Sequence, residues 1–343
     1  MFCFDDFKGA EPMNKRWVVT FLTFLALSYS SGAAAELLTN PGDCQDDECR
    51  TVQDNRAQFT AVQNRQIRRV TNNAVNNQIY RELSSRHMLP GKSASMGNRM
   101  ADSMDVDKSF LDSAWGMLSY SGLGTDDKTL GHFDNDIFQF VGGAGKNIGD
   151  WMIGYALTYA YATTDTSFYQ DGRSHTVGLT PYAAYQINDF LFASALAGYS
   201  YNHVNAAGNK GRVHDYDVEA NVNAYKVIDS FLLKARVGIR YTHSNDTLLV
   251  ADTGYDEVMG IGDAEIGYQF ANHLIAYTGL LYEYVDQEAI GLGGVVHDGA
   301  LYFRAGIDYP VTSGFYVGAK VETDLTDQQY DLLSGSVNFR VEL

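Results

Sequence analysis

The sequence is poor in cysteine, in basic charge and in long apolar runs. Only 3 of its 343 residues are Cys, and 25 Lys and Arg stand against 42 Asp and Glu, for a formal net charge of −17. Such acidity argues against a nucleic-acid partner, whose phosphates would repel it. The mean hydropathy of −0.22 argues against a bundle of membrane helices. We therefore expect neither a nucleic-acid partner nor a polytopic helical membrane protein.

One long apolar run lies near the start of the chain. The basic residues of NKR, at 14–16, precede WVVTFLTFLALSYSSG, and three alanines follow at 33–35. A basic segment, a short apolar stretch and small residues at a cleavage site are typical of a secretory signal peptide. The run is shorter than the roughly 20 residues that a spanning helix needs. Residues 1–35 are therefore predicted to be a signal peptide, with Met13 as a candidate start.

Two cysteines follow this segment, Cys44 and Cys49 in DCQDDEC. An exported chain meets an oxidising compartment, so a local disulfide between them is predicted. Metal binding by the same Cys and Asp residues is an alternative that no nearby His supports. No cofactor is expected.

The N-terminal region, residues 36–110, is predicted to hold one long polar helix over 51–87 and then a connector. The helical segment contains no Gly or Pro, and its apolar residues are thinly spaced at helix-like intervals. Five arginines make it basic within an acidic protein: Arg65, Arg68, Arg69, Arg81 and Arg86.

From about residue 111 to residue 343, the sequence alternates apolar and polar residues in about twelve segments, as strands do. In LLKARVGIRYTH (232–243), for example, Val237 and Ile239 share one face, and Arg236 and Arg240 share the other. Short links alternate with long ones such as His203–His214. This asymmetry is typical of an outer-membrane barrel, whereas a soluble sandwich lacks it.

Because lipid offers no hydrogen bonds to a free sheet edge, such a sheet must close on itself. The predicted fold is all-β: a twelve-stranded antiparallel up-and-down transmembrane β-barrel over 111–343, preceded by the polar helix as a plug of the lumen. A helix lying free in the periplasm is the alternative for residues 51–87.

Several segments resemble the autotransporter β-domain of type V secretion. They are SAWGMLSYSG (113–122), KNIGDWMIGYALTYAYATTDTSF (146–168), SHTVGLTPYAAYQINDFLFASALAGYSYNHVN (174–205) and LLKARVGIRYTH (232–243). The resemblance implies a twelve-stranded barrel with a helix in its pore, the outer membrane of a Gram-negative bacterium, and insertion by the barrel-assembly machinery. It also implies an upstream passenger, yet only about 75 residues separate the predicted signal peptide from the barrel. A porin-like or surface-binding (adhesin-like) barrel is the alternative function. Pro181, inside a predicted strand, suggests a bulge.

The alternation also predicts which side chains face the lumen. Opposite charges in such a confined pore would attract the basic helix. The polar residues with inward parity are Asp217, Glu219, Lys234, Arg236, Arg240, Glu265, Glu283 and Glu342. The resemblance implies that outward residues of the last strand form the membrane-assembly signal, namely Val337, Phe339, Val341 and Leu343.

Little in the sequence indicates catalysis. Some proteins of this class cleave themselves at an Asn-Asn pair in the barrel, and Asn76 and Asn77 are weak candidates by that resemblance; Asn on a wetted helix is the commoner explanation. No HExxH motif occurs, and the His and Asp residues near the predicted loops suggest solvated side chains. We therefore expect no enzyme, and a monomeric barrel in contact with outer-membrane lipid and lipopolysaccharide.

Overall fold

The computed structural model of the protein describes residues 47–85, 111–127, 131–166, 172–206, 209–246, 254–289, 295–312, 314–326 and 331–343. The predicted signal peptide and Cys44 lie outside these ranges. Within them the elements are helix α1 (Asp47–Ser85) and strands β1 (Ser113–Asp127), β2 (Gly131–Ile148), β3 (Trp151–Thr166), β4 (Gly172–Gln186), β5 (Leu191–Ala206), β6 (Asn209–Ile228), β7 (Phe231–Asp246), β8 (Tyr255–Gln269), β9 (Ile275–Ala289), β10 (Val295–Thr312), β11 (Phe315–Asp324) and β12 (Asp331–Glu342).

The twelve strands form one closed antiparallel barrel. Each strand pairs with the next along the chain, and β1 pairs with β12 from Ser113↔Glu342 to Gly124↔Asp331. Closure leaves no sheet edge with unpaired backbone groups. The predicted twelve-stranded barrel with a preceding helix is therefore confirmed.

The apolar side chains of the barrel face outward, and the charged ones face inward. On β7, Val237 is 70% exposed, whereas Arg240 on the other face is 1% exposed. Outward apolar residues of other strands, such as Leu118, Val218 and Val321, are likewise more than half exposed. This arrangement is the reverse of a soluble barrel, and an apolar band of this extent needs lipid as its solvent.

Aromatic residues mark both ends of this apolar band. Trp151 stacks on Tyr185 near the short turns, with ring centroids 4.9 Å apart. Tyr199 and Tyr216, 5.2 Å apart, lie toward the long connections. Along β3, Trp151 and Tyr161 are ten residues apart, which spans about 25 Å of barrel height at a strand tilt of about 40°. The two girdles thus fit the interfaces of a bilayer.

The bulge expected at Pro181 is absent. Pro181 does not create a bulge, because Leu179↔Tyr199 and Tyr182↔Leu196 keep one register on either side of it. Proline removes one backbone N–H from the hydrogen-bond ladder but adds no extra residue, so the pairing of β4 with β5 keeps its register on both sides. An irregularity of register lies instead between Pro310 and Thr312.

The strands also extend farther than the sequence suggested. The segment predicted as a long link, His203–His214, is mostly strand, since β5 continues to Ala206 and β6 begins at Asn209. Beyond the apolar band the outward residues, such as Asn205 and Arg212, are polar, so the apolar face that marks a lipid-facing strand disappears although the backbone pairing continues.

Candidate functional site in the barrel lumen

Helix α1 lies inside the barrel. Toward its N-terminal end, Gln63 contacts Ser174 of β4, beside the long connections. Toward its C-terminal end, the Leu83 carbonyl accepts a hydrogen bond from the Tyr225 hydroxyl near the β6–β7 turn, at 3.4 Å. The helix therefore runs from the long-connection end to the short-turn end. Among the described residues, no helix is long and apolar enough to cross a bilayer.

An apolar cluster, which we call the collar, packs the C-terminal half of α1 against the wall formed by β1–β6. The ring of Tyr80 meets that of Phe192 edge-on, with centroids 4.9 Å apart. Buried apolar side chains of α1 and the barrel wall form the collar: Val75, Ile79, Tyr80, Leu83, Trp115, Met117, Met152, Phe192, Leu196 and Tyr225. These side chains exclude water, so the collar fills the space between α1 and β1–β6 toward the short turns.

The middle of α1 is held by charge instead. An Nη of Arg65 lies 2.8 Å from the Glu257 carboxylate of β8. An Nη of Arg68 lies 2.9 Å from the carboxylate of Asp215 on β6. Both carboxylates are 1% exposed, so each needs a partner to offset its lost hydration. The arginines supply that partner.

Arg69 contacts the neighbouring part of the wall, on β9 and β11. Its guanidinium lies 3.1 Å from Glu322 and 3.8 Å from Glu283. The guanidinium carbon also lies 3.8 Å from the ring centroid of Tyr302, a cation–π arrangement. Farther along the helix, Arg81 pairs with Asp308. The arginine side chains of α1 thus reach carboxylates on β6 and on β8–β11.

Glu219 of β6 is a hub between the helix and the wall. Its Oε2 accepts two hydrogen bonds from Arg240, at 2.9 and 2.7 Å. The Asn72 amide donates to the same oxygen at 3.0 Å, and the Asn76 amide donates to Oε1 at 2.9 Å. Asn72 also donates to Asp217 at 3.2 Å. A fully buried carboxylate with this many donors fixes the register of the helix.

The other residues predicted to face the lumen lie on the inner wall or at its rim. Lys234 pairs with Glu265 at 2.6 Å. Arg236 donates to the Asn73 side chain at 2.8 Å. Glu342 lies at the short-turn rim, where it accepts a hydrogen bond from Arg340 at 2.5 Å and its side chain is 37% exposed.

Sequence reasoning missed several lumen charges. Asp215 has the same parity as Asp217, so extending the alternation by one step would have found it. Glu257 and Glu322 lie at or next to the ends of predicted long links, where no strand was assigned. The further inner-wall charges that were missed are Asp263, Arg304, Asp308, Lys320 and Arg340.

The candidate cleavage pair lies within the continuous helix. The Asn76 side-chain nitrogen donates to Glu219 and, at 2.9 Å, to the Asn72 carbonyl. Asn77 lines a small cavity near Trp115. Attack on its own carbonyl carbon would require the Asn76 nitrogen to leave both acceptors. Among the described residues, no group of three His, Cys, Asp or Glu is placed to hold a metal ion. Cys49 lies in the first turn of α1, and its disulfide with Cys44 stays a prediction.

No protein-family model and no curated protein matches the sequence. Solved structures do match. The β-domain of the Bordetella autotransporter BrkA is 13% identical, with a TM-score of 0.56, covering 68% of this chain and 100% of that one. The translocator domain of the autotransporter NalP from Neisseria meningitidis is 11% identical, with a TM-score of 0.58, covering 84% and 98%. The COG4313 outer membrane channel from Pseudomonas putida F1 is 12% identical, with a TM-score of 0.54, covering 70% and 100%.

The fold is thus that of an outer-membrane β-barrel. Within that class, it is the autotransporter β-domain fold, with the N-terminal helix inside the pore.

Proposed function

We propose that this chain is an autotransporter-type translocator in the outer membrane of a Gram-negative bacterium, plugged by its own helix α1. The course of α1 supports this function most strongly. The helix enters at the long-connection end and leaves at the short-turn end, where β1 begins. The N-terminal part of α1 therefore lies toward the end with the long connections.

The sidedness follows from the architecture. Outer-membrane barrels keep short turns in the periplasm and long connections outside. The chain would be exported through its signal peptide and inserted as a monomer by the barrel-assembly machinery, among outer-membrane lipid and lipopolysaccharide. Neither an enzymatic activity nor a cofactor is part of this proposal.

An epitope placed upstream of α1 tests the proposal. An epitope inserted between residues 40 and 41 should bind antibody on intact cells. The same epitope in the β6–β7 turn, between Asp229 and Ser230, should bind only after the outer membrane is permeabilised. Protection of the upstream epitope in intact cells would contradict the translocator.

A channel or surface-binding barrel is the second candidate, which the likeness to the Pseudomonas channel favours. Planar-bilayer conductance separates the two functions. A translocator with α1 seated in its lumen should conduct little, because the collar and the ion pairs fill the pore. Large, steady conductance of the unmodified chain would support the channel instead.

A further inference from the structure

Basic and imidazole side chains cluster on the outer face of the barrel, near its long-connection end. They form what we call the cationic rim patch: Arg173 and His175 of β4, His203 of β5, and Lys210, Arg212 and His214 of β6. Their outward direction follows from the alternation, because Ser174, Asn202 and Val213 between them are buried on the inner face.

The strand register brings these residues side by side. His175 pairs with His203, and His203 pairs with Arg212, which makes one row across three strands. In the row above, Arg173 and Lys210 flank Asn205. Neighbouring strands lie about 4.8 Å apart, and successive outward residues about 7 Å apart. The two rows therefore occupy a small area, and their members on the described parts of β4, β5 and β6 include no carboxylate.

The patch stands directly above the aromatic girdle. The hydroxyl of Tyr159 lies 3.0 Å from Nδ1 of His175, and the hydroxyl of Tyr199 lies 3.0 Å from Nδ1 of His214. Where the phenol donates this bond, the imidazole proton lies on Nε2 and is available to an acceptor outside the barrel. The tyrosines therefore hold both imidazoles at the bilayer boundary.

Charge is distributed unevenly around this rim. The protein as a whole is strongly acidic, and at the same end β2 carries outward Asp134 and Asp136. Below the patch, the outer wall is apolar, with Val177 and Leu179 of β4 exposed. Cations at headgroup height above an apolar wall complement an amphiphile with an anionic head and acyl chains.

We propose that the cationic rim patch binds the phosphorylated headgroup of an acylated lipid in the surrounding outer leaflet. Arg173, Lys210 and Arg212 would contact phosphate oxygens, His175 and His214 would donate from Nε2, and the acyl chains would lie along β4 and β5. The proposal rests on the membrane orientation in the proposed function, since the patch must be at the outer surface.

Lipid retention by the purified full chain tests this site. Wild-type barrel in neutral detergent, supplemented with lipid A, would be examined by native mass spectrometry. The double variant Lys210→Gln/Arg212→Gln should bind lipid A roughly tenfold or more weakly, since each basic residue at a membrane surface contributes about one power of ten or slightly less. Lys226→Gln is the matched control, because Lys226 lies outward on the same strand at the opposite end. It should bind like wild type.

Two further measurements distinguish a lipid site from a site for free anions and from a barrel that does not fold. Inorganic phosphate should not displace lipid A at millimolar concentration; equal displacement would mean a site for free anions and overturn the proposal. Equal lipid binding by the double variant and the wild type would overturn it too. Heat-modifiable migration of every variant reports the barrel itself, so a folded barrel that fails the lipid test leaves the translocator proposal standing.

Discussion

The guanidinium of Arg69 on helix α1 lies 3.1 Å from the carboxylate of Glu322 on β11. Both side chains are almost fully buried, and 253 residues separate them along the chain. An ion pair of this kind is poor evidence of net stabilisation, because desolvation offsets much of the attraction. The pair instead fixes the position of the helix, because a misplaced helix would leave both charges buried without partners.

Arg69→Ala should therefore loosen the plug. The change leaves Glu283 and Glu322 without this cation, and loss of one member of a buried pair costs about 3–5 kcal/mol. We expect higher conductance in planar bilayers and a lower temperature for loss of the fast-migrating folded band. Lys226→Ala, an exposed change on the outer face, is the control and should alter neither. Unchanged conductance and folded-band stability in Arg69→Ala would show that the pair does not hold the helix.

The last strand offers a test of the barrel's inside and outside. Phe339 faces outward, whereas Asn338 faces the lumen and accepts a hydrogen bond from Arg81 at 2.7 Å. Phe339→Asp should reduce outer-membrane levels sharply, because a carboxylate against lipid costs up to a few kcal/mol. Asn338→Asp should be nearly silent, since Arg81 can pair with the new charge. Equal loss in both variants, measured by membrane fractionation, would overturn the register.

Leu343→Phe extends the same series. Leu343 is 54% exposed on the outward face of the last strand, so a larger apolar ring has room there. Outer-membrane levels equal to or above wild type are expected. A marked loss would mean that the terminal side chain is held by specific contacts.

The β1–β12 seam contains two outward glycines with opposite surroundings. A Cβ on Gly116 would overlap the Phe339 ring, whereas a Cβ on Gly335 would meet nothing within 4 Å. Gly116→Val should lower the unfolding free energy by about 1–3 kcal/mol through overpacking. Gly335→Val should be neutral or slightly stabilising. Denaturant titration in detergent would compare them, and equal effects would mean that the ring does not cover Gly116.

We expect the chain to stay uncleaved between Asn76 and Asn77. The Asn76 nitrogen is committed to Glu219 and to the Asn72 carbonyl, so it does not approach its own carbonyl carbon. Intact-mass spectrometry of the barrel from outer membranes should show α1 and the barrel in one polypeptide. A barrel fragment beginning at Asn77, and lost in Glu219→Gln, would establish cleavage in the lumen.

The fold was predictable because lipid imposes a simple rule on sequence. Every outward position in the apolar band must be apolar, so Val237 and Ile239 alternate visibly with Arg236 and Arg240. The rule fails above the band, where outward positions such as Asn205 and Arg212 are polar, and there Ala206 and Asn209 were assigned to a loop.

The charged contacts of α1 were only partly predictable. Arg68 and Arg69 were recognisable as basic residues on a polar helix, and several wall carboxylates followed from parity. Which arginine meets which carboxylate depends on the depth and rotation of the helix in the pore. No local pattern encodes these two quantities, so the Arg69–Tyr302 contact and the role of Glu219 as a hub required the three-dimensional structure.

Disulfide trapping tests the central claim, a helix seated in the lumen, most directly. The hydroxyls of Thr71 on α1 and Thr158 on β3 are 3.1 Å apart, close enough for two cysteine sulfurs at these positions to bond. With the three native cysteines replaced by Ser, Thr71→Cys/Thr158→Cys should form a disulfide in the membrane, visible as a mobility shift that reductant reverses. Thr71→Cys/Leu157→Cys, with Leu157 on the lipid face, should not. A shift in the first variant alone is the predicted result; no shift in the first, or an equal shift in both, would contradict the plugged barrel.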